Sequence, residues 1–131
     1  MRLEGVRGFT FFELLALLGL LAALVIIAWG KFNASYEESV RTTLISDLRN
    51  LATAQEIYYR NNLTYASELH LLEIEPGATS QIEIGSADSS GWSAWNTLGS
   101  ALTRCEVYEG DGHAATLGIA TSPEQISCED P

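Results

Sequence analysis

Polar and apolar positions divide the chain into three regimes. From Phe9 to Trp29 apolar side chains run almost unbroken, and no charged residue falls between Leu14 and Gly30. A helix of roughly 20 such residues is long enough to cross a bilayer. Next, Val40, Leu44, Leu48, Leu51, Ala52 and the pair Tyr58–Tyr59 recur at spacings of three and four. That period predicts an amphipathic helix with Arg41, Asp47, Arg49 and Glu56 on its other face. One helix from about Phe9 to Arg60 is expected, stopping at Asn61–Asn62, because Asn tolerates the left-handed conformation at a helix end. Beyond it the period changes. A short helical turn is expected around Ser67–Leu72, ended by Pro76–Gly77. "SQIEIGS", "GWSAWNTL" and "TRCEVYEG" then read as strands separated by Gly and Ser turns, with "AATLGIA" as a weaker fourth. Short consecutive strands argue for an antiparallel sheet with one face available to the helix. The fold class expected is therefore α+β. Trp92, Trp95, Tyr58 and Tyr59 are expected as core aromatics between sheet and helix.

Charge narrows the function classes. The formal net charge is −10, with most acids beyond residue 36. Such a chain lacks the clustered Lys and Arg needed to hold phosphate backbones, so direct nucleic-acid binding is disfavoured. Arg2 and Arg7 precede the apolar run, which orients the N-terminus to the cytoplasm and the acidic part outside. Outside the cytoplasm two cysteines usually oxidise, and Cys105 and Cys128 allow one pairing. The closed loop contributes ~3 kcal/mol by chain-entropy arithmetic.

One residue does not fit a plain membrane anchor. Glu13 lies near the start of the apolar run, where an ionised group in hydrocarbon costs on the order of 3 kcal/mol. "RGFTFFELL", Arg7 to Leu15, resembles the class III signal of type IV pilins and pseudopilins, matching at Gly8, Phe9, Thr10, Glu13 and Leu14. Phe11 and Phe12 stand where Leu and Ile are commoner in that signal. "DLRNLATAQEIYYRNNLTYAS", Asp47 to Ser67, resembles the stem-to-loop passage of bacterial pilins. Signal and stem cover about half the chain; the sheet half matches in layout alone.

The resemblance implies processing by a prepilin peptidase between Gly8 and Phe9 and N-methylation of Phe9. It implies a leader at 1–8, a transmembrane and filament-core helix at 9–30 and an amphipathic continuation at 31–60. A connecting loop at 61–80 and a sheet with a disulfide-bounded region at 81–131 complete the layout. Glu13 would set assembly register by neutralising the Phe9 amine of a neighbouring copy, since two opposite charges leave water cheaply only when paired. The partners implied are further copies of the chain, the peptidase, the pilus or type II secretion assembly machinery, and the inner membrane before assembly. The filament would be an extracellular pilus or a periplasmic pseudopilus. From a different class, a signal-anchored single-pass extracytoplasmic binding module also accounts for the apolar run. Gly30 suits either local helix melting or close helix packing.

Catalytic and cofactor signals are sparse. No phosphate loop, nucleophile elbow or metalloprotease helix occurs, and His70 and His113 lack ligand spacing, so neither enzyme activity nor a metal is expected. "EGDGH", Glu109 to His113, lacks the ordered oxygen ligands of a calcium loop and reads as a solvated turn.

Overall fold

The computed structural model describes residues 8–75, 80–99, 101–110 and 114–129. The leader up to Arg7, the Pro76–Gly77 stop and Asp111–His113 lie outside the described residues. Helix α1 spans Phe11–Asn62 and is followed by a single 3-10 turn at Leu69–Leu71. Four strands follow: β1 (Ser80–Ala87), β2 (Trp92–Leu98), β3 (Arg104–Glu109) and β4 (Ser127–Glu129). They form one antiparallel meander in sequence order. The α+β class expected from the sequence is the one observed.

The chain divides into two compact units, residues 1–36 and 37–131. In the first, the apolar side chains of α1 are uncovered: Phe12, Ile26, Trp29 and Phe32 are all more than two-thirds exposed. This helix is long and apolar enough to span a membrane.

The second unit holds the core. Val40, Leu44, Leu48 and Leu51 of α1 are buried with Ile82, Trp92, Ala94, Cys105 and Val107 of the sheet. Fully burying one such side chain contributes about 1.5–3 kcal/mol. Two polar residues fix the docking. The buried Asn96 donates from Nδ2 to the backbone oxygen of Leu44 at 2.9 Å. Gln55, also fully buried, donates to the Ala66 carbonyl at 2.9 Å and accepts from its N–H at 2.8 Å, binding the connector to the helix.

Several expectations need correction. Asp47 is buried and Glu56 half-buried, so neither belongs to the solvent face assigned to them. The helix runs two residues past Arg60, and the left-handed position falls on Leu63 (φ 58°), not on an Asn. Leu63 N–H donates back to the Tyr59 carbonyl at 2.7 Å while Asn62 Nδ2 caps the Tyr58 carbonyl at 2.9 Å. Asn thus ends the helix by its side chain rather than its backbone. The expected fourth strand at "AATLGIA" is irregular; the fourth strand is Ser127–Glu129. Trp95 lies three residues from Trp92 on an unbulged strand, so side-chain alternation sends it to the face away from α1.

That outer face is covered by the segment expected as a strand. Glu106, opposite Trp95 in register and fully buried, accepts backbone N–H bonds from Leu117 (2.6 Å), Ile119 (2.9 Å) and Ala120 (3.3 Å). Residues 117–120 spend their amides on a carboxylate instead of on a ladder, which is why they do not form a strand. Thr116 Oγ1 meets Ser93 Oγ at 3.1 Å. A β-carbon at Gly85, in the irregular step of β1, would collide with Thr116 and stand 2.7 Å from the Trp95 ring.

Candidate functional site: the capped start of the apolar helix

The helix begins one residue after Thr10, with the Leu14 N–H bonded to the Thr10 carbonyl at 3.1 Å. Thr10 is therefore the N-cap residue. Its backbone N–H donates to Glu13 Oε2 at 2.9 Å, its hydroxyl donates to the same oxygen at 3.0 Å, and Glu13 N–H donates to Thr10 Oγ1 at 3.3 Å. This is a reciprocal capping box, in which two amides lacking helical partners are satisfied at once. The Glu13 carboxylate also lies in the first helical turn, where the macrodipole favours negative charge.

The sequence carried this signal in plain form. "TFFE" is Thr-x-x-Glu ahead of an apolar run, the pattern of a capping box. The expectation for Glu13, an acid in hydrocarbon paired with a neighbouring copy, left out this partner within its own chain. A purely local reason therefore exists for an acid at this position, and it is compatible with an intermolecular one. Both bonds from Thr10 use Oε2. An ionised carboxylate has about four lone-pair sites, so a further cationic donor can be accommodated without breaking the cap.

Gly8 and Phe9 precede the cap in non-helical backbone; both are exposed, Phe9 at 80%. Phe11 and Phe12, where the sequence departs from the commoner Leu and Ile, project at 70% and 81% exposure with their rings edge to face. The peptide bond between Gly8 and Phe9 thus lies outside the hydrogen-bonded helix, directly before the cap. Cleaving it would expose an amine one residue from Thr10.

The cysteines named from the sequence are brought together. Cys105 and Cys128 face each other across β3 and β4 and are disulfide-bonded, with Cα atoms 4.0 Å apart. The bond ties the short β4 to the core, and Arg104–Glu129 (3.4 Å) flanks it. Among the described residues no group of three potential metal ligands is arranged around a common point.

No protein-family model matches the chain, and no curated protein matches it. A long N-terminal apolar helix packs, through its second part, on a small antiparallel sheet with a C-terminal disulfide. The architecture is pilin-like. Among the described residues, Asn96, Gln55 and Glu106 are buried polar side chains that sequence reasoning missed. A polar residue within a strand or helix carries no local sign of whether its partner is water or backbone.

Proposed function

We propose that the chain is a structural subunit of a type IV pilus-like filament, made as a precursor, cut between Gly8 and Phe9 and assembled from the inner membrane. The observation that carries this reading is the pairing of a capped acid, Glu13, with an uncovered apolar helix behind it. An apolar surface of that extent marks contact with lipid or with other protein chains. A plain anchor would use lipid alone, and the local cap of Glu13 leaves carboxylate lone pairs that a neighbouring copy's amine can use.

Assembly then follows from elementary energetics. The new Phe9 amine is cationic and adjoins the apolar boundary. A neighbour whose Glu13 reaches it removes an uncompensated charge from a low-dielectric site, whereas a neighbour in another register leaves it bare. The pair selects register, as an isolated polar residue does in a coiled coil. Lipid already shields the apolar surface, so moving the helix from bilayer to filament gains little by itself. An external motor is therefore required. The segment is not itself catalytic; it is a substrate of processing.

Electron microscopy of cells producing an epitope-labelled chain alongside a prepilin peptidase tests the proposal. Labelled fibres, or a labelled periplasmic pseudopilus on overproduction, are expected. Label confined to the cell envelope, with no polymer, would favour the anchored binding module.

A further inference from the structure

Aromatic side chains in the first unit are confined to the two ends of its apolar run. Phe9, Phe11 and Phe12 stand at the beginning, and Trp29, Phe32 and Tyr36 at the close. From Leu14 to Ala28 the chain holds Leu, Ala, Val and Ile with one Gly, and no aromatic residue. All six rings are more than half exposed.

The separation of the two groups matches a bilayer. From Phe11 to Trp29 the helix rises about 27 Å at roughly 1.5 Å per residue; the hydrocarbon core of a membrane is about 30 Å thick. Helices in lipid concentrate Trp and Tyr at the two water boundaries, where the ring meets apolar chains and its polar edge meets the headgroups.

The far end is also asymmetric around the helix. Trp29, Phe32 and Tyr36 follow one another at three and four residues and share one face. Along that face they climb about 10 Å, enough to cross one headgroup layer. Lys31, the one lysine of the chain, lies about 200° round the helix from Trp29 and is exposed. Acids resume in the sequence at Glu37 and Glu38, both exposed.

We propose that Trp29, Lys31, Phe32 and Tyr36 form a collar that docks on the outer leaflet of the membrane, with the three rings in the headgroup layer and the Lys31 ammonium on a lipid phosphate. The long stem of a lysine lies along apolar surface while its charge reaches outward to water and phosphate. Phospholipid is the occupant because the rings recur at both ends of the run at bilayer spacing, with a cation just beyond Trp29. A protein partner seated on the collar would not require the second group of rings at that distance. The stripe of rings on one face leans the helix toward the membrane on that side, since interfacial anchors set tilt. Glu13 lies about 24 Å from Trp29 along the helix. A collar at the outer boundary therefore puts Glu13 near the inner one, away from the bilayer centre where a carboxylate costs most. This inference rests on the membrane-held precursor proposed above and names what fixes its depth.

The test uses the full-length chain reconstituted in phosphatidylcholine vesicles, with lipids brominated either near the headgroup or near the acyl-chain end as quenchers of tryptophan fluorescence. Trp92 is buried in the core and Trp95 belongs to the sheet, so the difference between wild type and Trp29→Phe reports Trp29 alone. Leu21→Trp in the Trp29→Phe background supplies a marker for the middle of the run. Headgroup-proximal bromines are expected to quench Trp29 at least about twofold more than deep ones, and the Leu21→Trp marker is expected to show the reverse order. Lys31→Glu, which sets a carboxylate against phosphate, is expected to weaken the shallow quenching of Trp29; unchanged quenching would remove Lys31 from the collar. A Trp29 signal quenched best by deep bromines, equally by both, or by neither overturns the collar, while a deeply quenched Leu21→Trp marker leaves the membrane span standing. A chain that does not float with the vesicles, or a Leu21→Trp marker quenched best near the headgroup, removes span and collar together.

Discussion

Thr10 N–H and the Glu13 carboxylate are joined at 2.9 Å at the mouth of the apolar helix, so the acid of this segment is first the cap of its own chain. The cap and the proposed role in assembly can be separated by chemistry. Gln fills the third helical position of a capping box as Glu does, but carries no charge. Glu13→Gln should therefore leave the helix start and leader removal intact while cutting fibre yield at least tenfold. Thr10→Val should weaken the helix start by about 1 kcal/mol and reduce yield far less. Fibre counts by microscopy, with leader removal followed by gel mobility, check both. Equal yields from Glu13→Gln and wild type would contradict the charge-pairing role.

Glu106 holds three amides of one segment on the outer face of the sheet. Truncation to Ala strands those donors, and the expected loss is about 3 kcal/mol of stability, the scale for leaving buried groups unsatisfied. Hydrogen exchange should locate the damage at Leu117, Ile119 and Ala120, with the amides of Leu44 and Leu48 unaffected until global unfolding. Uniformly faster exchange across the whole core would mean that Glu106 supports the sheet rather than the segment.

The disulfide should matter chiefly to β4. Cys128→Ser removes the covalent tie between β3 and the shortest strand, at an expected cost of ~3 kcal/mol. Loss of β4 protection before that of β1 or β2 in exchange experiments is the expected order. Protease should then cut wild type and the variant differently within residues 114–129.

Gln55 joins the connector to the helix through both of its amide atoms. Gln55→Leu keeps the volume but leaves the Ala66 N–H and carbonyl without that partner, and about 2 kcal/mol of destabilisation is expected. A neutral effect in thermal unfolding would show that the connector is held by Tyr65 and Ala66 packing alone.

Periodic apolar positions made α1 and its buried stripe legible in the sequence, because a repeat near 3.6 residues puts apolar side chains on one face of a helix and of no other regular element. Three of the four strands were legible as strand-like runs set between Gly and Ser turns. The fourth was misplaced because "AATLGIA" has strand composition, whereas its amides are taken by Glu106, a side chain 11 residues away from Leu117. Trp95 shows the same limit from the other side: an aromatic reads as core, but its face is set by register with Trp92. At the N-terminus the signal itself was visible, yet the partner of Glu13 within its own chain went unread. Buried Asn96, Gln55 and Glu106 had no local signature, since their partners come from elsewhere in the chain.

The most direct test is the mass of the mature N-terminus, measured on protein recovered from cells that contain a prepilin peptidase. The account predicts a chain beginning at Phe9 and heavier by one methyl group, with loss of Arg2, Arg7 and Glu4 taking the formal charge from −10 to −11 before the new amine is counted. A mature chain still starting at Met1, or cut beyond the apolar helix, would contradict it.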